Sequence, residues 1–292
     1  MTTPRRSASA TRRGLLGGLG GMSLALILSD WAVPLQAQAL TTPDDREPLV
    51  VALDDLVAAN RILANEGVID AFGHVSCRHP LRAGHFLMAR ARAPALVEAA
   101  DLMEFDSDGN PVDAGGRRPY IERFIHAAIY AARPDVRSVV HDHSAEIIPF
   151  GLSSTPLRAL SHVGGIIGGP VPVWDIATVV GPKSNLLVTS MAIGASLARK
   201  LGSNPVVLLR GHGAVAVGRS IRQATIAAVN LNTQARIMQN TIALGGGVHA
   251  LSPEEIAETG KIFSDETPGD AIGRTWEYWC ARASVPFHAK GA

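Results

Sequence analysis

The 292-residue chain predicts an α/β fold of mixed character. Three observations predict it: short β-branched apolar runs, longer stretches with helical spacing of apolar residues, and irregular alternation of the two with no fixed repeat. With 47% hydrophobic and 18% charged residues, the chain has enough apolar material for a sizeable core and is neither disordered nor fibrous.

Taken in order, residues 1–39 read as an export signal. A basic stretch ends Thr11-Arg12-Arg13-Gly14-Leu15-Leu16, a Gly/Leu-rich run follows, and Ala37-Gln38-Ala39 supplies a small-x-small cleavage pattern. The arginine pair followed by two apolar residues has the form of a twin-arginine signal, so a periplasmic or secreted protein is expected, free of the membrane once the signal is removed. Residues 40–50 form a polar, proline-bearing linker, and 51–292 are expected to fold as one domain. Val51–Glu66 places Leu53, Leu56, Val57, Ile62 and Leu63 at helical spacing, with Gly67 as the cap. Strands are expected at His74–Arg78, His85–Ala89 and Leu102–Phe105, the last followed by the turn Asp106–Asn110. Residues 120–132 read as a helix stopped by Pro134. Val136–His141, Pro170–Trp174 and Val206–Arg210 read as strands, with a helix at Met191–Leu201. A long helix at 220–244 ends on Gly245-Gly246-Gly247, and two amphipathic helices, 253–263 and 269–283, close the chain.

Charge and cysteine content narrow the function. The four arginines of the signal against its single Asp30 leave 23 basic and 25 acidic side chains in the remainder, a net charge near −2. Such a body has no field to gather nucleic acid, so a small-molecule or protein partner is expected. Cys77 and Cys280 belong to no CxxC pair, which excludes a zinc ribbon; two buried free thiols are expected rather than a disulfide.

The chemistry concentrates on histidines. His141-Asp142-His143 ends an apolar strand, and side chains two apart in a strand share a face. His212 stands in Leu208-Leu209-Arg210-Gly211-His212-Gly213, where a second apolar strand ends in a tight turn. Three neutral imidazoles with a coordination position left open describe a catalytic rather than a structural metal site. Asp142 is expected on the opposite face, solvated or supporting a ligand. Glu122 lies in the 120–132 helix with His126 on the same face, and spacing leaves it open between proton transfer and a surface ion pair with Arg118 or Arg123. His74, His79, His85, His162, His249 and His288 sit in loops or at strand edges and read as hydrogen-bonded structural residues.

Several segments together resemble the class II aldolase/adducin family. They are Glu122 to Pro134 (ERFIHAAIYAARP), Val139-Val140-His141-Asp142-His143-Ser144, Leu209-Arg210-Gly211-His212-Gly213 and Gly73-His74-Val75-Ser76, in order, over roughly residues 50–245. The resemblance implies a three-layer α/β/α fold with a central, largely antiparallel sheet, and a homotetramer. It implies a divalent ion on His141, His143 and His212, zinc before manganese, iron or cobalt, with Glu122 transferring protons. It also implies substrate contacts from Gly73, His74 and Ser76. Sugar-phosphate members of the family carry Asn where His74 stands, a hydroxyl-rich segment where this chain reads Met88-Ala89-Arg90-Ala91-Arg92-Ala93-Pro94, and a serine pair where it has Pro119-Tyr120. Loss of the phosphate cradle, with Arg90 or Arg92 placed to grip a carboxylate, resembles the branch of hydroxy-aromatic and hydroxypyridine dicarboxylate decarboxylases. The expected activity is metal-dependent carbon–carbon cleavage of a small non-phosphorylated hydroxy- or oxo-acid. The alternatives are a sugar-phosphate aldolase or epimerase, an iron-dependent oxygenase and a non-catalytic adducin-like module.

Overall fold

The computed structural model describes residues 48–264 and 270–289. The expected export signal and most of the linker lie outside the described residues. No helix among the described residues is long and apolar enough to cross a membrane.

Helix α1 (Pro48–Asn65) opens the fold, followed by strands β1 (His74–Arg78), β2 (Phe86–Ala89) and β3 (Leu102–Phe105), then helix α2 (Arg123–Ala132) and strand β4 (Ser138–Asp142). Short helices α3 (Ile148–Leu152) and α4 (Ala177–Val180) flank β5 (Val173–Trp174). Then come α5 (Met191–Leu201), β6 (Val206–Leu209), β7 (Gly213–Gly218), α6 (Ile221–Ala243), α7 (Pro253–Gly260) and α8 (Ala271–Arg282). The seven strands form one sheet in the order β3-β2-β1-β4-β7-β6-β5, antiparallel throughout except for the parallel β5–β6 pair.

Alternation along the strands divides the core into two layers. Val140, Leu208, Ala214 and Ala216 face a cluster built with Leu56, Ile62 and Ile226 of α1 and α6. Val139, Val207, Leu209 and Val215 face the opposite cluster, with Ile125 and Ile129 of α2 and Leu197 of α5. Helices on both faces of a mostly antiparallel sheet make the expected three-layer arrangement. Each fully buried leucine or isoleucine contributes about 1.5–3 kcal/mol of apolar transfer, so both faces of the sheet contribute to stability. Helices α2 and α5 pack so closely that a Cβ on Gly194 would lie 2.5 Å from the Phe124 carbonyl oxygen.

The element order follows the sequence reading, apart from the short helices α3 and α4, which were not expected, and three further differences. Helix α2 begins at Arg123, not residue 120, because Pro119 bridges to Arg90 and the Tyr120 hydroxyl donates to the Arg92 carbonyl, which holds those residues against the β2–β3 side of the sheet. Strand β5 shrinks to Val173–Trp174 because Pro170 and Pro172 have no N–H for a ladder. Strand β7 was not expected: Gly213–Gly218 consists of small residues buried on both faces, so it shows no alternation. Serine caps start α5, α6 and α7, with Ser190, Ser220 and Ser252 accepting from the backbone N–H three residues on. Both cysteines are buried free thiols, as expected.

Candidate metal centre

Register brings the site together at one end of the sheet. In the β1–β4 ladder His74 pairs with His141, and in the β4–β7 ladder Asp142 pairs with Ala214. His143 therefore emerges just past β4, beside the β6–β7 turn that carries His212. That turn closes with the His212 N–H donating to the Leu209 carbonyl and with Gly211 at φ +67°, a conformation that favours glycine.

Among the described residues, Glu122, His141, His143 and His212 each present one donor atom, all within 4.8 Å of one another. His143 Nε2 lies 3.0 Å from His141 Nε2 and 2.9 Å from His212 Nε2. Glu122 Oε2 is 3.5 Å from the Nε2 atoms of His141 and His212, and 4.0 Å from that of His143. The His141 tautomer is fixed, because its Nδ1–H donates to the Ala214 carbonyl 2.9 Å away and leaves Nε2 as a bare lone pair. Lone pairs crowded this closely repel one another unless a cation stands between them. Three inward-facing imidazoles with a carboxylate alongside form the donor set of a catalytic divalent site, with metal–nitrogen distances of about 2.0–2.1 Å for zinc. The residues fit the group.

Glu122 departs from its sequence reading. It occupies the N-cap position of α2 at φ −87°, ψ 18°, so it shares no helical face with His126. It is buried rather than paired with Arg118 or Arg123 at the surface. Its Oε1 accepts the Val188 N–H at 2.9 Å, which aims Oε2 at the histidines. Burial would push this carboxyl up, but the hydrogen bonds and charge that His141 and His212 supply when their rings are doubly protonated outweigh it and hold Glu122 ionised. Burial, then repulsion from any positive charge on the neighbouring His141 and His212 rings, presses His143 down to about 3. Asp142 is fully buried, not solvated. Its Oδ1 accepts the Ser144 N–H, its Oδ2 has no partner, and burial raises it to about 7.

A cavity of about 350 Å³ opens onto the cluster, with Glu122 and His143 in its wall. Of the residues read from the sequence as substrate contacts, Gly73, His74 and Arg92 line it, whereas Arg90 and Ser76 do not. The Arg90 Nε and Arg92 Nη1 atoms each lie 2.6 Å from an oxygen of Asp101, so one carboxylate holds both guanidiniums. Ser76 and His126 lie behind His74, in a buried file that ends at Tyr130. His74 opens β1, and its ring packs 4.6 Å from Tyr120 and 5.2 Å from His141, centroid to centroid. Burial, then the neighbouring His126 and His141, keeps it far below the ordinary histidine range. Sequence reading singled out Tyr120, where sugar-phosphate members of the family carry a serine pair, but missed the other apolar walls, Phe72, Ile121 and Leu187. Phe72 and Ile121 are 65% and 58% exposed at the rim, a feature that only the folded surface reveals.

Residues 54–239 match the family described as Class II Aldolase and Adducin N-terminal domain. The chain is 33% identical over 254 residues to the decarboxylase tropJ of Talaromyces stipitatus, covering 80% of this chain and 94% of that one. It is 31% identical over 253 residues to a 3,4-dihydroxyphthalate decarboxylase of Arthrobacter keyseri, with the same coverage. Among solved structures, an L-fuculose 1-phosphate aldolase from Glaciozyma antarctica superposes with a TM-score of 0.64 at 25% identity, over 79% of this chain and 88% of that one.

Proposed function

The chain belongs to the class II aldolase and adducin family and is a metal-dependent lyase of it; on that premise we propose that it decarboxylates a hydroxy-aromatic carboxylic acid whose carboxyl group stands beside a ring hydroxyl. The observation that carries this reading is the cavity. Its wall is chiefly apolar and aromatic up to the point where the three imidazoles and Glu122 converge. Such a wall suits a flat ring with adjacent oxygens at one edge. The similarity to a 3,4-dihydroxyphthalate decarboxylase supports the same substrate class.

His141, His143 and His212 would hold the divalent ion, zinc by preference, and when bound it would supply positive charge to adjacent substrate oxygens. Phe72, Tyr120 and Leu187 would orient the ring and exclude water. Glu122 is ionised and its Oε2 faces the cluster, so it would take the proton of the ring hydroxyl. It would return that proton to the ring carbon bearing the carboxylate. The bond from that carbon to the carboxylate then breaks, carbon dioxide leaves, and the electron pair remains as the phenolate of the product. One proton moves twice and no oxidant is consumed.

The N-terminal 39 residues support an exported enzyme, and the family resemblance supports a homotetramer.

The test is anaerobic incubation of the metal-loaded protein with 3,4-dihydroxyphthalate, following carbon dioxide and 3,4-dihydroxybenzoate. Stoichiometric release of both is expected. Turnover only with oxygen, or only with L-fuculose 1-phosphate, would overturn the reading.

A further inference from the structure

Behind the cavity wall runs a single file of buried polar groups that the proton transfer above does not use. His74 Nδ1 lies 2.7 Å from His126 Nε2, His126 Nδ1 lies 2.6 Å from Ser76 Oγ, and Ser76 Oγ lies 2.7 Å from Tyr130 Oη. Two of these side chains come from β1 and two from α2, and all four are buried. A neutral imidazole carries one N–H and each hydroxyl one O–H, so such a file has two self-consistent directions.

With the protons directed away from the cavity, the Tyr130 hydroxyl must donate onward. Its hydrogen-bond partner among the described residues is Ser76 alone, and the group over its ring, 4.8 Å from the centroid, is the Arg78 guanidinium, which has no acceptor. A buried O–H without an acceptor bears its full desolvation penalty. With the protons directed toward the cavity, every donor inside the file is satisfied, and the one left over opens on the cavity, where solvent or a ligand can accept it. Tyr130 donates to Ser76, Ser76 to His126 Nδ1, and His126 Nε2–H to His74 Nδ1. The proton of His74 is then on Nε2, which has no partner among the described residues, on a ring that lines the cavity.

We infer that this file fixes His74 as a neutral hydrogen-bond donor whose Nε2–H meets an anionic oxygen of the substrate, with His126, Ser76 and Tyr130 as positioning residues. It rests on the proposed function only in taking this cavity as the substrate site. No group changes charge; the file decides which nitrogen carries the proton, and successive hydrogen bonds along it polarise one another and strengthen the last donor. A carboxylate or phenolate oxygen is favoured at that place, and an ammonium group is turned away.

The experiment is solid-state ¹⁵N NMR of the zinc-loaded protein with ¹⁵N-labelled histidine, the His74 signals being assigned by their loss in His74→Asn. The expected result is a protonated Nε2 and a bare Nδ1 on His74; the reverse overturns the inference. Binding of 3,4-dihydroxybenzoate, measured by calorimetry, gives the second readout. His74→Phe is expected to weaken it at least about tenfold, the worth of one hydrogen bond to a charged oxygen, while His74→Asn, which keeps an N–H, recovers most of the loss. Ser76→Ala is expected to weaken it about threefold or more with zinc content unchanged, and Ser76→Cys, a weak donor, to lie between. Wild-type affinity in His74→Phe would overturn the contact. If 3,4-dihydroxybenzoate does not bind the wild type, the aromatic-acid reading fails, and the ¹⁵N signals still uphold or overturn the direction of the file.

Discussion

Gly213→Ala tests whether the sheet itself sets the metal geometry. A Cβ at Gly213 would lie 1.8 Å from the Asp142 carbonyl oxygen, 2.8 Å from its carbon and 3.0 Å from His143 Cα. All three are backbone atoms of the segment that carries two of the candidate ligands, so no flexible side chain can yield. The closest contact falls short of the 3.0 Å floor for such contacts by about 1.2 Å, and β7 must move away from β4 by a similar amount at this point. Opening the ladder there sacrifices about two hydrogen bonds, at ~1 kcal/mol each, and adds an overpacking cost of about 1–3 kcal/mol. The resulting loss of roughly 3–5 kcal/mol lowers Tm by about 6–20 °C for a domain of this size. The same shift carries His212 and His143 apart by a large fraction of a metal–nitrogen bond, so zinc affinity should fall by about 100-fold, the upper end of losses seen when ligand support is removed. Calorimetric scanning and competitive zinc titration with a chromophoric chelator read the two effects separately. Unchanged zinc affinity in a folded Gly213→Ala protein would refute the claim that the β4–β7 register places the ligands.

Three further outcomes are expected. Glu122→Gln should keep the metal and lose turnover by about 10²–10⁴-fold, the usual worth of a positioned acid–base group; a turnover number near wild type would move proton transfer elsewhere. Asp101→Asn should cost about 1.5–3 kcal/mol in thermal unfolding, because it loses charged hydrogen bonds to Arg90 and Arg92. Burial pushes Asp101 up, but the Glu98 N–H and both arginines pull it below the ordinary aspartate value. Its stabilisation is therefore full above about pH 4 and is lost as pH falls through the lower folded value, so Tm should drop less steeply on acidification in Asp101→Asn than in wild type. Burial pushes the thiols of Cys77 and Cys280 up to about 12 and about 11, so Ellman's reagent at pH 8 should find no reactive thiol until the protein is denatured, and two thereafter.

The three histidines were legible because each closes an apolar strand, and a strand end fixes both the position and the facing of its side chain. Glu122 was legible as a residue but not in its geometry. Helical spacing put it inside α2 beside His126, whereas the Arg90–Pro119 bridge and the Tyr120 hydroxyl hold the preceding residues extended and start the helix one residue after it. Only that displacement lets Oε2 reach the cluster. Strand β7 carried no signal because a central strand of glycine, alanine and valine has neither alternation nor bulk. The partners of His74 were hidden for another reason. Ser76 and Tyr130 are 54 residues apart, and nothing local to either position marks the hydrogen bond that joins them.

The treatment of Arg90 and Arg92 decides what the cavity selects. The motif suggested a free guanidinium waiting for a carboxylate, but Asp101 holds both arginines, and Glu98 Oε2 stands 3.8 Å from Arg92 Nη1. Two cations matched by two carboxylates leave little net field at the mouth, and a dianionic phosphate would find neither a cradle of hydroxyls nor unpaired positive charge there. What the arginine–Asp101 cluster does instead is brace the segment whose Arg92 carbonyl accepts the Tyr120 hydroxyl, and so hold the Tyr120 ring against His74. With a divalent ion bound, positive charge would be concentrated at one place, the histidine cluster, and the rest of the cavity would recognise shape. Under the proposed function, a ligand would gain most by bringing its anionic oxygens together at one edge of an otherwise apolar, flat body, which is the form of an ortho-hydroxylated aromatic acid and not that of a sugar phosphate.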